Sequence, residues 1–339
     1  VSKIIDISGG RVIISRTDSI GDVLLTLPIC AALKRDFPNT QIIFLASAYT
    51  IPVIQHCTAI DEIVNATELF DSPTVNQIAK LREINADAIV HVFPNKILAN
   101  LAKKAKIPHR IGTSHRTYHL LTCNHRINFT RKKSNDHEAQ LNFHLLEPFG
   151  YTELPTWDEL NANLTYFHAK EISLTKELLS ERKKVILHAK SQGSAVEWPI
   201  DKYNILAKKL VDAGYTVYFT GTEKEGIEIR KNVQFSENIM DTTGKFTLDE
   251  LISFVNMSNL LVACSTGPLH IAGTLNKPCI GLFTPKKPMH PGRWRPLGEN
   301  SSTITAHELC KCANKKKCSC LADISVDSVL NKILEKLEH

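Results

Sequence analysis

The stretch Ser265-Thr266-Gly267-Pro268-Leu269-His270 has the residue types of a strand end that turns straight into a helix facing an anion. Ser265 and Thr266 are good N-caps, Gly267 lets a ligand approach the backbone, and Pro268 suits the first helical position. Free N–H groups and the positive end of the helix dipole then point beyond the strand, where a diphosphate fits. An ordinary capped strand-to-helix turn is the simpler reading. His270, in the first helical turn, can contact a phosphate or sugar or be a packed structural residue. At the other end of the chain, the strand candidate Arg11–Ser15 leads into Arg16-Thr17-Asp18-Ser19-Ile20-Gly21-Asp22. Asp22 therefore stands at a helix start beyond the carboxyl end of a strand, where open α/β sheets place their ligands. A partner for the helix dipole is the alternative role. Two further loops carry usable groups. His188-Ala189-Lys190-Ser191-Gln192-Gly193-Ser194 offers hydroxyls and one lysine after a strand, as a second phosphate loop or as a solvated one. Glu223 follows another strand, in the place of the acidic residue that accepts ribose hydroxyls in nucleotide-binding folds.

The elements needed to position these groups are legible as alternating strand and helix signals. Strands are expected near Val12, Ile43, Ile63 and Ile89, with helices around residues 23–35, 75–84 and 97–104. The second half restarts with Val185–His188, a helix over 202–213 ended by Gly214, a strand over 215–220, and helices over 223–233 and 247–256. Leu260–Ala263 is then a short buried strand leading into the turn at Gly267. Tandem strand–helix sets in a chain of 339 residues predict an α/β protein of two doubly wound domains, 1–160 and 161–339, with a charged helical run over 170–184 at the join. The final segment places Val326, Val329, Leu330, Ile333, Leu334 and Leu337 on one helical face.

The formal charge of +6 suits anionic small molecules or an anionic membrane surface better than dedicated nucleic-acid binding. No apolar run is long enough to span a bilayer and the N-terminus carries no export signal, so a cytoplasmic protein is expected. Basic residues crowd together between Lys103 and Lys133, among them Arg110 and Arg116. Such a run is usually a solvated face, yet arginines also grip phosphates and carboxylates in a bidentate manner. Five cysteines (Cys30, Cys57, Cys123, Cys264, Cys279) are scattered as small buried apolar residues. The other four, Cys310, Cys312, Cys318 and Cys320, are close enough in sequence to bind zinc or an iron–sulfur cluster, to pair as disulfides, or to stay as thiols. Their C-x-C spacing is tighter than the usual C-x₂-C knuckle.

The run from Arg16 to Pro28, together with Trp198-Pro199, Ser265 to Ala272 and Lys277 to Phe283, resembles glycosyltransferase family nine, the ADP-heptose:lipopolysaccharide heptosyltransferases and their relatives. The resemblance implies a GT-B architecture, two Rossmann-like domains facing across a cleft, with the terminal helix packing back on the N-terminal domain. It implies an inverting enzyme that moves a heptose from an ADP-sugar to a lipopolysaccharide inner core, at the cytoplasmic side and in peripheral contact with the inner membrane. Asp22 is the implied base, and Asp18 its structural competitor. Lys190, Ser191, Glu223 and the stretch Ser265, Thr266, Gly267, Pro268, Leu269 and His270 would hold the donor. Thr17, Ser19, Arg110 and Arg116 would meet the acceptor. No Asp-x-Asp pair occurs, so neither a metal-assisted route nor any cofactor is expected. Two positions depart from the family pattern: Val196 where a basic residue commonly precedes the Trp-Pro pair, with Lys190 as its substitute, and Ser265 where an acid or amide reads sugar hydroxyls. The alternatives are a nucleotide-sugar epimerase of the same architecture and a non-catalytic nucleotide-sugar or glycolipid binder. A Rossmann oxidoreductase is disfavoured, since no G-x-G-x-x-G follows the first strand.

Overall fold

Short parallel strands build both halves, most of the inner ones rich in valine, isoleucine and leucine and buried on both faces, as strands covered by helices on either side must be. In the N-terminal half these are β1 (Arg11–Ser15), β2 (Gln41–Ala46), β3 (Glu62–Asn65), β4 (Ala88–His91), β5 (His109–Thr113) and β6 (His125–Ile127). They make one sheet in the order β3-β2-β1-β4-β5-β6. The C-terminal half contributes β7 (Lys184–His188), β8 (Thr216–Phe219), β9 (Ile239–Asp241), β10 (Leu260–Cys264), β11 (Cys279–Phe283) and β12 (Ser301–Thr305), in the order β12-β11-β10-β7-β8-β9. Counted from its own first strand, the second sheet repeats the order of the first. Both are the doubly wound arrangement expected from the alternation. The computed structural model describes residues 4–131, 134–171, 181–310, 312 and 318–338. Most of the helical run expected over 170–184 lies outside these, as do Lys132 and Lys133.

The chain divides into two units, Val1–His168 and Ala169–His339, a break somewhat beyond the expected one at 160. In each, strand order reverses between two neighbours. β1 lies beside β4 with Ser15 level with His91, and β7 lies beside β10 with His188 level with Ala263. Ligands of open α/β sheets bind outside the carboxyl ends at such reversals. The segments leaving β1, β7 and β10 there are those that start at Arg16, Ala189 and Ser265.

Two local expectations are revised. The helix expected over 23–35 is two helices, Ile20–Leu24 and Leu27–Asp36, because Pro28 has no N–H to offer the Leu24 carbonyl one turn earlier. The terminal helix, Val326–Glu338, was expected on the N-terminal domain. Instead Val329, Ile333 and Leu337 are buried in the C-terminal core with Leu206 and Leu210 of the helix Ile200–Asp212, since that helix presents the matching apolar stripe within its own unit. Among the described residues, no helix is long and apolar enough to cross a membrane.

Candidate functional site

In the N-terminal unit the chain leaves β1 through Arg16, whose guanidinium is almost wholly buried. It donates from Nε to Asp18 Oδ1 at 2.7 Å, from Nη1 to Glu138 Oε1 at 3.0 Å, and from Nη2 to Asp22 Oδ1. Burial works against the arginine's charge, but Asp22, Asp18 and Glu138 more than offset it, and its pKa is raised. Asp18 is also shifted upward: burial and the neighbouring Asp22 outweigh the pull of Arg16. Glu138 is fully buried and shared with Arg131, which donates to it at 2.8 Å and to Asn142 at 2.8 Å. Asn142 in turn donates to the Leu25 carbonyl at 2.9 Å, fixing the break between the first two helices.

Asp22 is the carboxylate of this network that has both oxygens held by side chains. One oxygen accepts from Arg16 and the other from Ser19 Oγ, while the side chain stays 18% exposed. Thr26 Oγ1 caps the Asp22 carbonyl at 2.8 Å. Thr17 and Asp18 are held through their carbonyls, which accept from Ser47 Oγ and Tyr49 Oη, both at 2.6 Å. The expected cluster of Thr17, Ser19 and Asp22 is thus assembled at the carboxyl end of β1. Arg16 and Glu138, which hold it, were not singled out from sequence. The one available signal was a charged residue directly after the apolar strand.

The expected acceptor arginines part company. Arg110 sits near the start of β5, the edge of the sheet opposite the ligand side, and donates to the carbonyls of Thr122 (2.8 Å), Pro108 and Ile107. Its guanidinium is spent on backbone. Arg116 lies in the loop beyond the carboxyl end of β5, exposed and without an ion-pair partner among the described residues. Part of the basic run is structural: Lys103 and Arg126 also donate to the last carbonyls of the helix His119–Thr122 or the residue after it, where its dipole favours cations.

In the C-terminal unit the helix Gly267–Thr274 begins directly after β10. Its N-cap Thr266 makes no side-chain cap bond; the hydroxyl points back to the Cys264 carbonyl at 3.3 Å. The first N–H groups are therefore left for another acceptor. The helix is buried from Pro268 to Thr274 and wedged at two glycines. A Cβ on Gly281 of β11 would fall 2.8 Å from Leu269, and one on Gly273 only 2.5 Å from the Leu297 carbonyl. That close approach fixes where the helix start points. Leu269 and His270 belong to this packed body, both buried, whereas Ser265 and Gly267 keep partial exposure.

The loop after β7 lies alongside. Gln192 and Gly193 both take positive φ (50° and 82°), and Ser194 N bonds back to Ser191 O at 2.9 Å, making a tight turn. Lys190 donates to Glu197 and, at 2.9 Å, to Glu228, while Ser191 donates to Glu197 through both N and Oγ at 2.8 Å. Burial opposes the Lys190 charge, but the two carboxylates outweigh it and its pKa is raised. Lys190 is thus an engaged cation that an anion must win from Glu197. Trp198, 1% exposed, ties this loop to the turn: its N–H donates to Cys264 Sγ at 3.4 Å and its indole to the Ile324 carbonyl at 3.1 Å. Glu223 opens the helix that supplies Glu228 to Lys190. It follows β8, away from the reversal of strand order, and receives both Arg230 Nη groups at 2.6 and 3.0 Å.

Residues 76–322 match the family model described as glycosyltransferase family 9 (heptosyltransferase). The chain is 27% identical to lipooligosaccharide heptosyltransferase 2 of Haemophilus influenzae, covering 94% of this chain and 96% of that one. It is 25% identical to lipopolysaccharide heptosyltransferase 3 of Escherichia coli, covering 93% and 95%. The solved ADP-heptose lipopolysaccharide heptosyltransferase II of Escherichia coli superposes with a TM-score of 0.76 at 20% identity, over 97% of this chain and 98% of that chain.

Proposed function

This chain belongs to glycosyltransferase family 9, and from that premise we propose that it moves a heptose from ADP-heptose to a lipopolysaccharide inner-core acceptor, with Asp22 as the base. Its family and relatives make it a glycosyltransferase of the lipopolysaccharide heptosyltransferase type. The observation that supports Asp22 as the base is its partly buried setting, held by Arg16 and Ser19 at the carboxyl end of β1. A base must lie within hydrogen-bond reach of the hydroxyl that it deprotonates, and a partly exposed carboxylate with each oxygen already oriented suits that need.

In the proposed step the acceptor hydroxyl attacks the anomeric carbon while Asp22 takes its proton. The bond from that carbon to the diphosphate oxygen breaks, and ADP departs with the electron pair. One displacement inverts the anomeric centre. The leaving diphosphate is stabilised by the uncapped N–H groups at Gly267 and Leu269 and by the helix dipole, with Lys190 released from Glu197 to join them. No divalent metal is assigned to this step. Thr17, Ser19 and Arg116 are the acceptor contacts in this reading, while Arg110 supports β5. Glu223 contributes only if Arg230 yields it.

A thermal-shift panel of ADP-, UDP- and GDP-sugars tests the donor, followed by turnover assays on Asp22→Asn. Preferential stabilisation by ADP-heptose is expected, with the variant keeping that shift while losing about 10²- to 10⁴-fold in transfer. A UDP or GDP preference overturns the donor assignment. Conversion of the nucleotide sugar with no acceptor present would instead identify an epimerase.

A further inference from the structure

Four cysteines meet in the C-terminal unit, in the segment that follows β12. Their Sγ atoms all lie within 4.8 Å of one another. Cys310 is 3.7 Å from Cys318 and 3.6 Å from Cys320; Cys312 is 3.9 Å from Cys318 and 3.5 Å from Cys320. A tetrahedron of sulfurs around an ion at about 2.3 Å has edges of about 3.8 Å, so these separations match a four-thiolate shell. Four near-equal edges single out no two pairs for disulfide bonding, and all four thiols are free.

The surroundings suit thiolates as well. The backbone N–H of Ser319 donates to Cys312 Sγ at 3.4 Å, and the Thr284 hydroxyl lies 3.1 Å from Cys318 Sγ. A backbone N–H aimed at one sulfur and a hydroxyl beside another are the kind of outer-shell support that orients ligating groups. Cys320 is buried, and the other three are partly exposed, which leaves an entry path for an ion.

We propose that Cys310, Cys312, Cys318 and Cys320 form a structural site for one tetrahedrally coordinated transition-metal ion of the zinc type, iron being the other ion that this sulfur set accepts. Each thiol that ligates releases its proton to solvent, and no electrons move. With four protein ligands the shell is closed, so the ion holds structure rather than activating substrate. What it holds is definite. Cys310 follows β12, Thr284 follows β11, and Cys320 opens the turn Cys320–Asp323, whose Leu321 and following Ile324 lie in the core. The Ile324 carbonyl receives the Trp198 indole, so the ion would brace the support of the Lys190 loop. The His307–Asp323 contact at 2.8 Å spans the same gap with far less strength.

The site is independent of the donor and acceptor assignments and is tested without turnover. The full chain, kept reduced, is loaded with zinc or with cobalt(II) and analysed for metal content, for thiolate-to-cobalt charge-transfer absorption, and for melting temperature before and after chelation. About one ion per chain, a tetrahedral tetrathiolate cobalt spectrum and a lower melting temperature after chelation are expected. Cys312→Ser and Cys318→Ser should each cut metal affinity by at least about tenfold. Metal content near zero in the reduced, reconstituted protein overturns the proposal, as does a cobalt spectrum without thiolate bands. So does stoichiometric acid-labile sulfide, which marks an iron–sulfur cluster. The cobalt spectrum is read on the unmodified chain, so misfolding of a serine variant does not blunt the test.

Discussion

Arg16 is the residue on which the N-terminal site turns, because one buried guanidinium holds Asp18, Asp22 and Glu138 at once. Removing one partner of a buried charge set leaves the others uncompensated, which costs about 3–5 kcal/mol. Arg16→Met should therefore lower stability by that order in chemical denaturation; an unchanged midpoint would show that the carboxylates do not depend on it. The two aspartates that flank this arginine are separable by the same geometry. Asp18 Oδ1 accepts from Nε close in and its pKa is raised by burial, whereas Asp22 is the one bridged to an exposed serine. Asp18→Asn should accordingly reduce transfer by less than about tenfold, against the far larger loss expected for Asp22→Asn. Equal losses in the two variants would reverse the assignment of the base. The sequence located Asp22 by its place after a strand, but not Arg16 as organiser, since its partner Glu138 lies on a helix far along the chain.

At the scale of elements, the helix Gly267–Thr274 works because it cannot move. Its dipole is useful only if the first N–H groups stay aimed, and close backbone contact at Gly273 supplies that rigidity. Gly273→Ala puts a methyl group 2.5 Å from the Leu297 carbonyl, a backbone atom that cannot swing aside. Overpacking of this kind costs about 1–3 kcal/mol. The variant should melt earlier and also lose thermal stabilisation by ADP; a full ADP shift in a destabilised protein would detach the helix start from donor binding. The turn itself was readable from residue types. β5 and β6 were not, because His109, Arg110, His125 and Arg126 read as a basic surface run rather than as strands. Their backbone is claimed by pairing with β4 and with each other, a tertiary contact that overrides the polar composition.

Over the whole molecule, both units bury histidines that must stay neutral, and this sets the response to acid. Burial, then His119 and Arg110, push the His91 pKa down to about 3, and burial likewise lowers His119 and His188. The unfolded chain takes up these protons near pH 6.5 while the folded chain does not. Their contribution to stability is therefore complete above that pH and falls as pH drops, for His91 by about 1.4 kcal/mol per pH unit down to about 3. His91→Leu, which also removes two ring nitrogens lacking hydrogen-bond partners among the described residues, should flatten the acid limb by about one proton. An unaltered slope in pH-dependent denaturation would place the acid sensitivity elsewhere. The two doubly wound halves, the family, the turn at Gly267 and the place of Asp22 were legible in the sequence, because periodicity, capping residues and contiguous motifs are local properties of the chain. Partner choice was not. That Arg110 serves backbone carbonyls, that Lys190 and Glu223 are already paired, that the last helix belongs to its own unit, and that four cysteines converge to one point were decided only by folding. Each depends on which distant segments share a surface, and on which neutral or charged partner satisfies a buried group first, and neither is written into any short stretch of residues.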